Sequence, residues 1–216
     1  GTSANLIAGR FGRYFRQNIV NPTSEKTHLI AENDGSFFSN LGEKIVVGGW
    51  INPTTYSVGQ TYIPIFNTRQ GPGQPIFYVS LYQGRLRLML YNSSGTLIYD
   101  QSETATITLK NGGWYFIASI IEVSNKKVQN IICDRSDGAT WVSPVRSFSG
   151  ELNRECIANI IMGMHANTYY YAGGFDDWFL ETDSQLTIDD LLLYFKSSLH
   201  ANGGDAASDV DALAEP

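Results

Sequence analysis

Residues 85–91 read Arg-Leu-Arg-Leu-Met-Leu-Tyr, which puts Leu86, Leu88 and Leu90 on one face of an extended strand. The same kind of signal recurs along most of the chain. Residues 44–51 form a β-branched run that Asn52-Pro53 stops. Residues 61–67 alternate loosely, and Pro64 among them predicts an edge position or a bulge. Further strands are expected over 75–82, 96–99, 104–109, 128–133, 139–142, 158–164 and 174–181. Residues 114–123 are continuously apolar and predict a strand in the middle of a sheet. Turn signals separate these runs: Gln83-Gly84, Asn92-Ser93-Ser94-Gly95, Lys110-Asn111-Gly112-Gly113, Asn125-Lys126-Lys127 and Asp137-Gly138. Strands spaced about 8–12 residues apart predict a sandwich or barrel.

One segment breaks the pattern. Thr187 is a helix N-cap candidate, and Asp189 and Asp190 suit the first turn of a helix over 187–195. It is short, and predicts a surface helix at the sandwich edge. Residues 200–216 are rich in Ala, Asp and Gly and read as an acidic linker or tail.

Length allows one large domain or two small ones, and composition favours a β-rich chain. The chain has 216 residues, 43% of them hydrophobic, enough for a sizeable core. Aromatics make up 12% and charged residues only 17%, a balance that suits pleated surfaces. The net charge of −6 leaves no basic footprint for nucleic acid. No apolar run reaches the roughly 18 residues of a membrane span. Cys133 and Cys156 lack a CxxC partner. They fit either a disulfide between neighbouring strands or, the preferred reading, two buried thiols acting as small hydrophobes.

Candidate chemistry is sparse. A retaining glycosidase needs two carboxyl groups about 5–5.5 Å apart. Asp176 and Asp177 are adjacent, so on a regular strand they would face opposite sides. Glu151 and Glu155 fall in a turn-like segment. His28, His165 and His200 are isolated from one another, without metal-ligand spacing. There is no Gly-x-Ser-x-Gly elbow, no phosphate loop and no dinucleotide fingerprint. The richest stretch is His165-Ala166-Asn167-Thr168-Tyr169-Tyr170-Tyr171. Its rings can stack on flat apolar faces while His and Asn bond to hydroxyls, a pairing that suits a sugar. The competing reading has the tyrosines alternate, with Tyr170 packing inward and its neighbours coating a strand.

Several segments in order resemble the concanavalin A-like lectin/glucanase superfamily, in particular its laminin-G-like jelly-roll domains. Ala8-Gly9-Arg10-Phe11-Gly12-Arg13-Tyr14-Phe15 looks like its opening strand. Trp50-Ile51-Asn52-Pro53, Gln83-Gly84-Arg85-Leu86, Gly113-Trp114-Tyr115-Phe116-Ile117-Ala118, Ile161-Met162-Gly163 and residues 173–179 are similar to later ones, and 187–191 to the short helical tail. The resemblance implies an all-β fold, a two-sheet antiparallel jelly-roll sandwich with one short C-terminal helix, over residues 5–199. Catalytic members carry Glu-x-Asp-x-x-Glu or Glu-x-Asp-x-Glu, and neither pattern occurs here. Many relatives hold calcium with an acid on the last strand, which would be Asp176. Here Arg16 stands after Phe15, where the family often has an acid, so Asp176 also reads as a structural acid.

These readings together predict a non-catalytic glycan-binding or adhesion module of a larger extracellular, cell-surface or virion protein. Its expected partner is a carbohydrate or glycosylated surface, with no nucleic acid, no membrane insertion, no required cofactor, and calcium as an option. His165, Asn167, Tyr169 and Tyr171 are the expected ligand contacts, with Trp141 as an outside candidate. The alternative is a structural or assembly module, such as a phage-tail component or a surface-protein spacer, in which the Tyr-rich stretch meets other protein subunits. A glycoside hydrolase is the third reading.

Overall fold

The protein is described by a computed structural model over residues 6–9, 12–15, 29–31, 42–53, 63–70, 75–156, 159–165, 169–171 and 173–200. Its strands, in chain order, are β1 (Leu6–Gly9), β2 (Gly12–Phe15), β3 (Leu29–Ala31), β4 (Lys44–Pro53), β5 (Ile63–Gln70), β6 (Phe77–Tyr82), β7 (Arg85–Tyr91) and β8 (Leu97–Ser102). They continue with β9 (Tyr115–Glu122), β10 (Lys127–Asp134), β11 (Thr140–Val142), β12 (Arg146–Ser147), β13 (Asn159–Met162), β14 (Met164–His165), β15 (Tyr169–Tyr170) and β16 (Gly173–Thr182). One helix follows, α1 (Ile188–His200).

The larger sheet has eight strands in the order β1-β2-β16-β4-β9-β10-β11, with β12 also on β10. The smaller has six, in the order β3-β13-β5-β6-β7-β8. The pairs are antiparallel, and the architecture is an all-β jelly-roll sandwich with a C-terminal helix. Alternation sets the core. Ile45, Val47 and Ile51 of β4, Ile117 and Ile121 of β9, and Trp178 and Leu180 of β16 face inward. They meet Phe66 of β5, Phe77, Val79 and Leu81 of β6, and Leu86, Leu88 and Leu90 of β7. Trp178 stacks on Phe66 at 5.8 Å and donates its indole N–H to the Trp50 carbonyl at 2.8 Å. Gly49 makes this approach possible, because a Cβ there would lie 2.6 Å from the Trp178 ring.

The helix lies on the outer face of the larger sheet, not at the sandwich edge as the sequence predicts. Val46, Trp50, Phe116, Ala118, Ile120, Ile131 and Cys133 form a second buried cluster with Leu191 and Phe195 of α1. The central strands are apolar on both faces, and each face needs a cover. Thr187 caps the helix as expected. The Asp190 amide donates to Thr187 Oγ1 at 3.2 Å, and the Thr187 amide donates back to the Asp190 carboxylate at 2.8 Å.

Other expectations are corrected. The opening strand is a hairpin, β1 paired with β2 from Leu6↔Phe15 to Gly9↔Gly12. Residues 104–109 form no strand. They cross from β8 in one sheet to β9 in the other, so Ala105, Ile107 and Leu109 pack on the core while the backbone joins no strand ladder among the described residues. The bulge expected at Pro64 is present, between Pro64 and Phe66, on a strand flanked by β13 and β6. Cys133 and Cys156 are both buried and free. The acidic stretch from 201, together with Arg16 and His28, lies outside the described residues.

Candidate functional site

The His/Tyr stretch is built as a ribbon on the side of β5. β13 ends at Met162, Gly163 takes a φ of 78°, and its amide donates to the Ile65 carbonyl at 2.9 Å. β14 and β15 then pair with His165 opposite Tyr169 and Met164 opposite Tyr170. His165 and Tyr169 are therefore cross-strand register partners. The Tyr171 amide closes the base on the Gly163 carbonyl at 2.8 Å. Asn167 lies outside the described residues.

Tyr171 is buried rather than exposed on the ribbon. Its ring is 3% exposed and stacks on Phe175 with centroids 4.2 Å apart. Its hydroxyl donates to the Gly174 carbonyl at 3.2 Å, and burial pushes the phenol well above its ordinary pKa. Trp141 is half-buried, packed against the core from β11 at the end of the larger sheet. Of the expected contacts, His165 and Tyr169 are register partners in the ribbon, Tyr171 is buried, and Trp141 is half-buried against the core.

The paired acids behave differently from a regular strand. The β16–β4 register shifts between Asp176 and Phe179, and Asp177 sits at a φ of 45°. This bulge breaks the alternation that would put the acids on opposite faces. Asp176 pairs with Trp50 across the strands and so shares its outer face. Asp177 accepts a hydrogen bond there from the Tyr194 hydroxyl of α1 at 3.1 Å. Burial, then the charge of Asp177, raises the Tyr194 pKa. The Asp177 amide donates to Asp176 Oδ1 at 3.0 Å. Calcium asks for about six to eight oxygens. Among the described residues no group of three or more His, Cys, Asp or Glu converges as a metal site. Through Asp177 the pair ties β16 to the helix.

Other polar groups are tied into the frame. Glu103 is fully buried and reaches from the end of β8 to the opposite sheet. Its carboxylate accepts from Asn130 at 2.7 Å and from Arg146 at 3.2 Å, while Ser119 donates to Asn130 at 2.6 Å. A shallow cleft of about 320 Å³ opens where β4 begins and β16 ends, lined by Glu43, Lys44, Glu122, Asn125, Asp183 and Gln185 among others. No aromatic ring lines it. On the outer face of the smaller sheet, Arg87 is forked on Asp100 at 2.7 and 2.6 Å. Sequence reading passed over this group, although Arg-x-Arg on the polar side of β7 was its signal.

No protein-family profile matches the chain, and no curated protein matches it either. Solved structures do. The binding domain of Paraclostridial Mosquitocidal Protein 1 superposes with a TM-score of 0.61 at 15% identity, covering 93% of this chain and 47% of that one. Botulinum neurotoxin type C, in a structure describing cell entry dependent on interaction with two ganglioside molecules, gives 0.59 at 10%, covering 91% and 51%. A native heptameric SAP-like pentraxin from Limulus polyphemus gives 0.53 at 14%, covering 86% and 82%. The shared feature is the jelly-roll fold. The chain spans about half the length of the two toxin chains. Among the described residues no helix is long and apolar enough to cross a membrane.

Proposed function

We propose that the chain is a non-catalytic glycan-recognition module, laminin-G-like in type, of a larger protein acting outside the cell or on a virion. The observation that carries this reading is the β14–β15 ribbon, which stands outside the two main sheets and sets His165 opposite Tyr169. Imidazole and phenol groups suit a sugar, which offers hydroxyls on its rim and an apolar ring face. The fold is shared with a mosquitocidal protein's binding domain and with a neurotoxin whose cell entry depends on two ganglioside molecules, which supports the same direction. Asn167 between the strands joins the proposed contacts. Recognition in this reading needs no metal, and added calcium leaves it unchanged. A glycan array tests it: sugar-dependent binding by the parent that Tyr169→Ala removes supports the proposal, and equal signals from both sink it.

Assembly is the second reading, and one observation favours it. Leu97 and Val145 are 42% and 55% exposed near the edge strands β8 and β12. These edges meet where Glu103 joins Arg146, and the Ser149 amide donates to the Ile98 carbonyl. A stable oligomer by light scattering, lost in Leu97→Ser/Val145→Ser, would favour subunit contact over free sugar binding. Hydrolysis has less support, because the acid-lined cleft at Glu43, Glu122 and Asp183 has no ring in its lining to hold a sugar.

A further inference from the structure

A basic and aromatic patch on the smaller sheet plays no part in the ribbon's role. Leu86, Leu88 and Leu90 point into the core, so Arg85 and Arg87 leave β7 on the outer face. Arg85 stands across the strands from Tyr82, so all three residues share that face. The turn joining the strands is Gln83-Gly84, with φ of 48° and 83°. Two consecutive positive φ values mark a tight type I′ hairpin, which fixes Tyr82 and Arg85 side by side. Arg87 lies 4.9 Å over the Tyr82 ring and is held from the other side by Asp100. Arg85 is exposed, and among the described residues no carboxylate pairs with it. Arg85 thus places a positive charge on this face, in a chain whose net charge is −6.

We infer that this patch binds anionic saccharides, with Arg85 as partner of the ligand's carboxylate or sulfate. The inference rests on the glycan reading above and names a ligand class for a second surface within it. A guanidinium fork matches the planar pair of oxygens that either group presents. Arg87, forked on Asp100, is the next residue after Arg85 along the same face of β7. The half-buried Tyr82 borders the patch with an apolar edge. A neutral sugar gives Arg85 no charge to pair with. An acidic peptide would, but among the described residues the patch offers no exposed large apolar side chain to anchor a peptide; Leu97 lies at the far end of β7, opposite Tyr91.

Calorimetric titration of the parent and Arg85→Gln with lactose, a sialylated lactose and a sulfated lactose tests this. Arg85 is exposed, so the variant keeps the fold. The expected result is tighter binding of at least one anionic sugar than of lactose. Arg85→Gln should weaken that binding about tenfold, the size of one charge-assisted contact, and added salt should weaken it too. Preference for the sialylated or the sulfated sugar identifies which anion is read. Equal affinity of parent and variant for the anionic sugars overturns the inference, as does equal binding of lactose. So does displacement by an oligoglutamate peptide as effective as by the sugars. If neutral glycans bind through Tyr169 while Arg85→Gln changes nothing, this inference alone fails. If the parent binds no saccharide of any kind, the glycan reading fails with it.

Discussion

Tyr171 separates packing from recognition within a single run of tyrosines. Its ring is 3% exposed and stacked on Phe175 at 4.2 Å, and its hydroxyl is satisfied by the Gly174 carbonyl. Truncation to Ala removes a buried aromatic ring and leaves a cavity, which costs about 3–4 kcal/mol at such sites. For a domain of this size each kcal/mol lowers Tm by about 2–4 °C, so Tyr171→Ala should melt about 10 °C early. Tyr171→Phe keeps the ring and loses one hydrogen bond, about 1 kcal/mol. Calorimetry or thermal circular dichroism measures both. The Phe variant, folded and with the ribbon base intact, should also bind glycans as the parent does. A Tyr171→Ala protein melting within about 2 °C of the parent would refute the core placement. Loss of sugar binding in a stable Tyr171→Phe would restore Tyr171 to the ligand surface.

Three further outcomes follow from buried and capping groups. Glu103→Ala should cost about 2–3 kcal/mol in urea unfolding, because it strips partners from Asn130 and Arg146; the 32% exposure of Arg146 keeps it below the cost for a fully buried pair. Glu103→Gln should cost less, and parent-like stability in both would show that the carboxylate ties nothing. Hydrogen bonds from Thr187 hold the Asp190 carboxyl below its ordinary pKa. The cap's contribution is therefore complete above the ordinary aspartate value, about 4, and disappears as pH falls through the lowered one. Asp190→Asn should flatten the acid limb of the stability–pH curve, and an unchanged limb would contradict the cap. Burial pushes the Cys133 thiol up to about 12, with Lys196 partly opposing it. Iodoacetamide at mild alkaline pH should label no thiol in the native protein and two in denaturant without reductant; native labelling or a disulfide would contradict the two buried free thiols.

Much of the fold was legible because period-2 alternation marks a strand with one face inward, as Leu86, Leu88 and Leu90 show. The same signal misled over 104–109, where apolar side chains alternate against the core but the chain is crossing between sheets. Periodicity reports burial and is silent about pairing. The position of α1 had a visible cue, since β4 and β9 are apolar at nearly every position and a strand apolar on both faces needs two covers. Asp176 and Asp177 were assigned opposite faces on the premise of a regular strand. The positive φ at Asp177 removed that premise, and an Asp in a run of aromatics does not announce a bulge. In the Tyr-rich stretch, composition could not distinguish Tyr169 from Tyr171. Only the ribbon and its closing bond at Gly163 place one beside His165 and the other in the core.

Glycan binding by the ribbon is tested most directly by an array of neutral and acidic glycans probed with the parent, Tyr169→Ala and Tyr171→Phe side by side. The account predicts a defined set of sugars bound by the parent and Tyr171→Phe and lost by Tyr169→Ala. A parent that binds no glycan, or a Tyr169→Ala protein that keeps every signal, would contradict it.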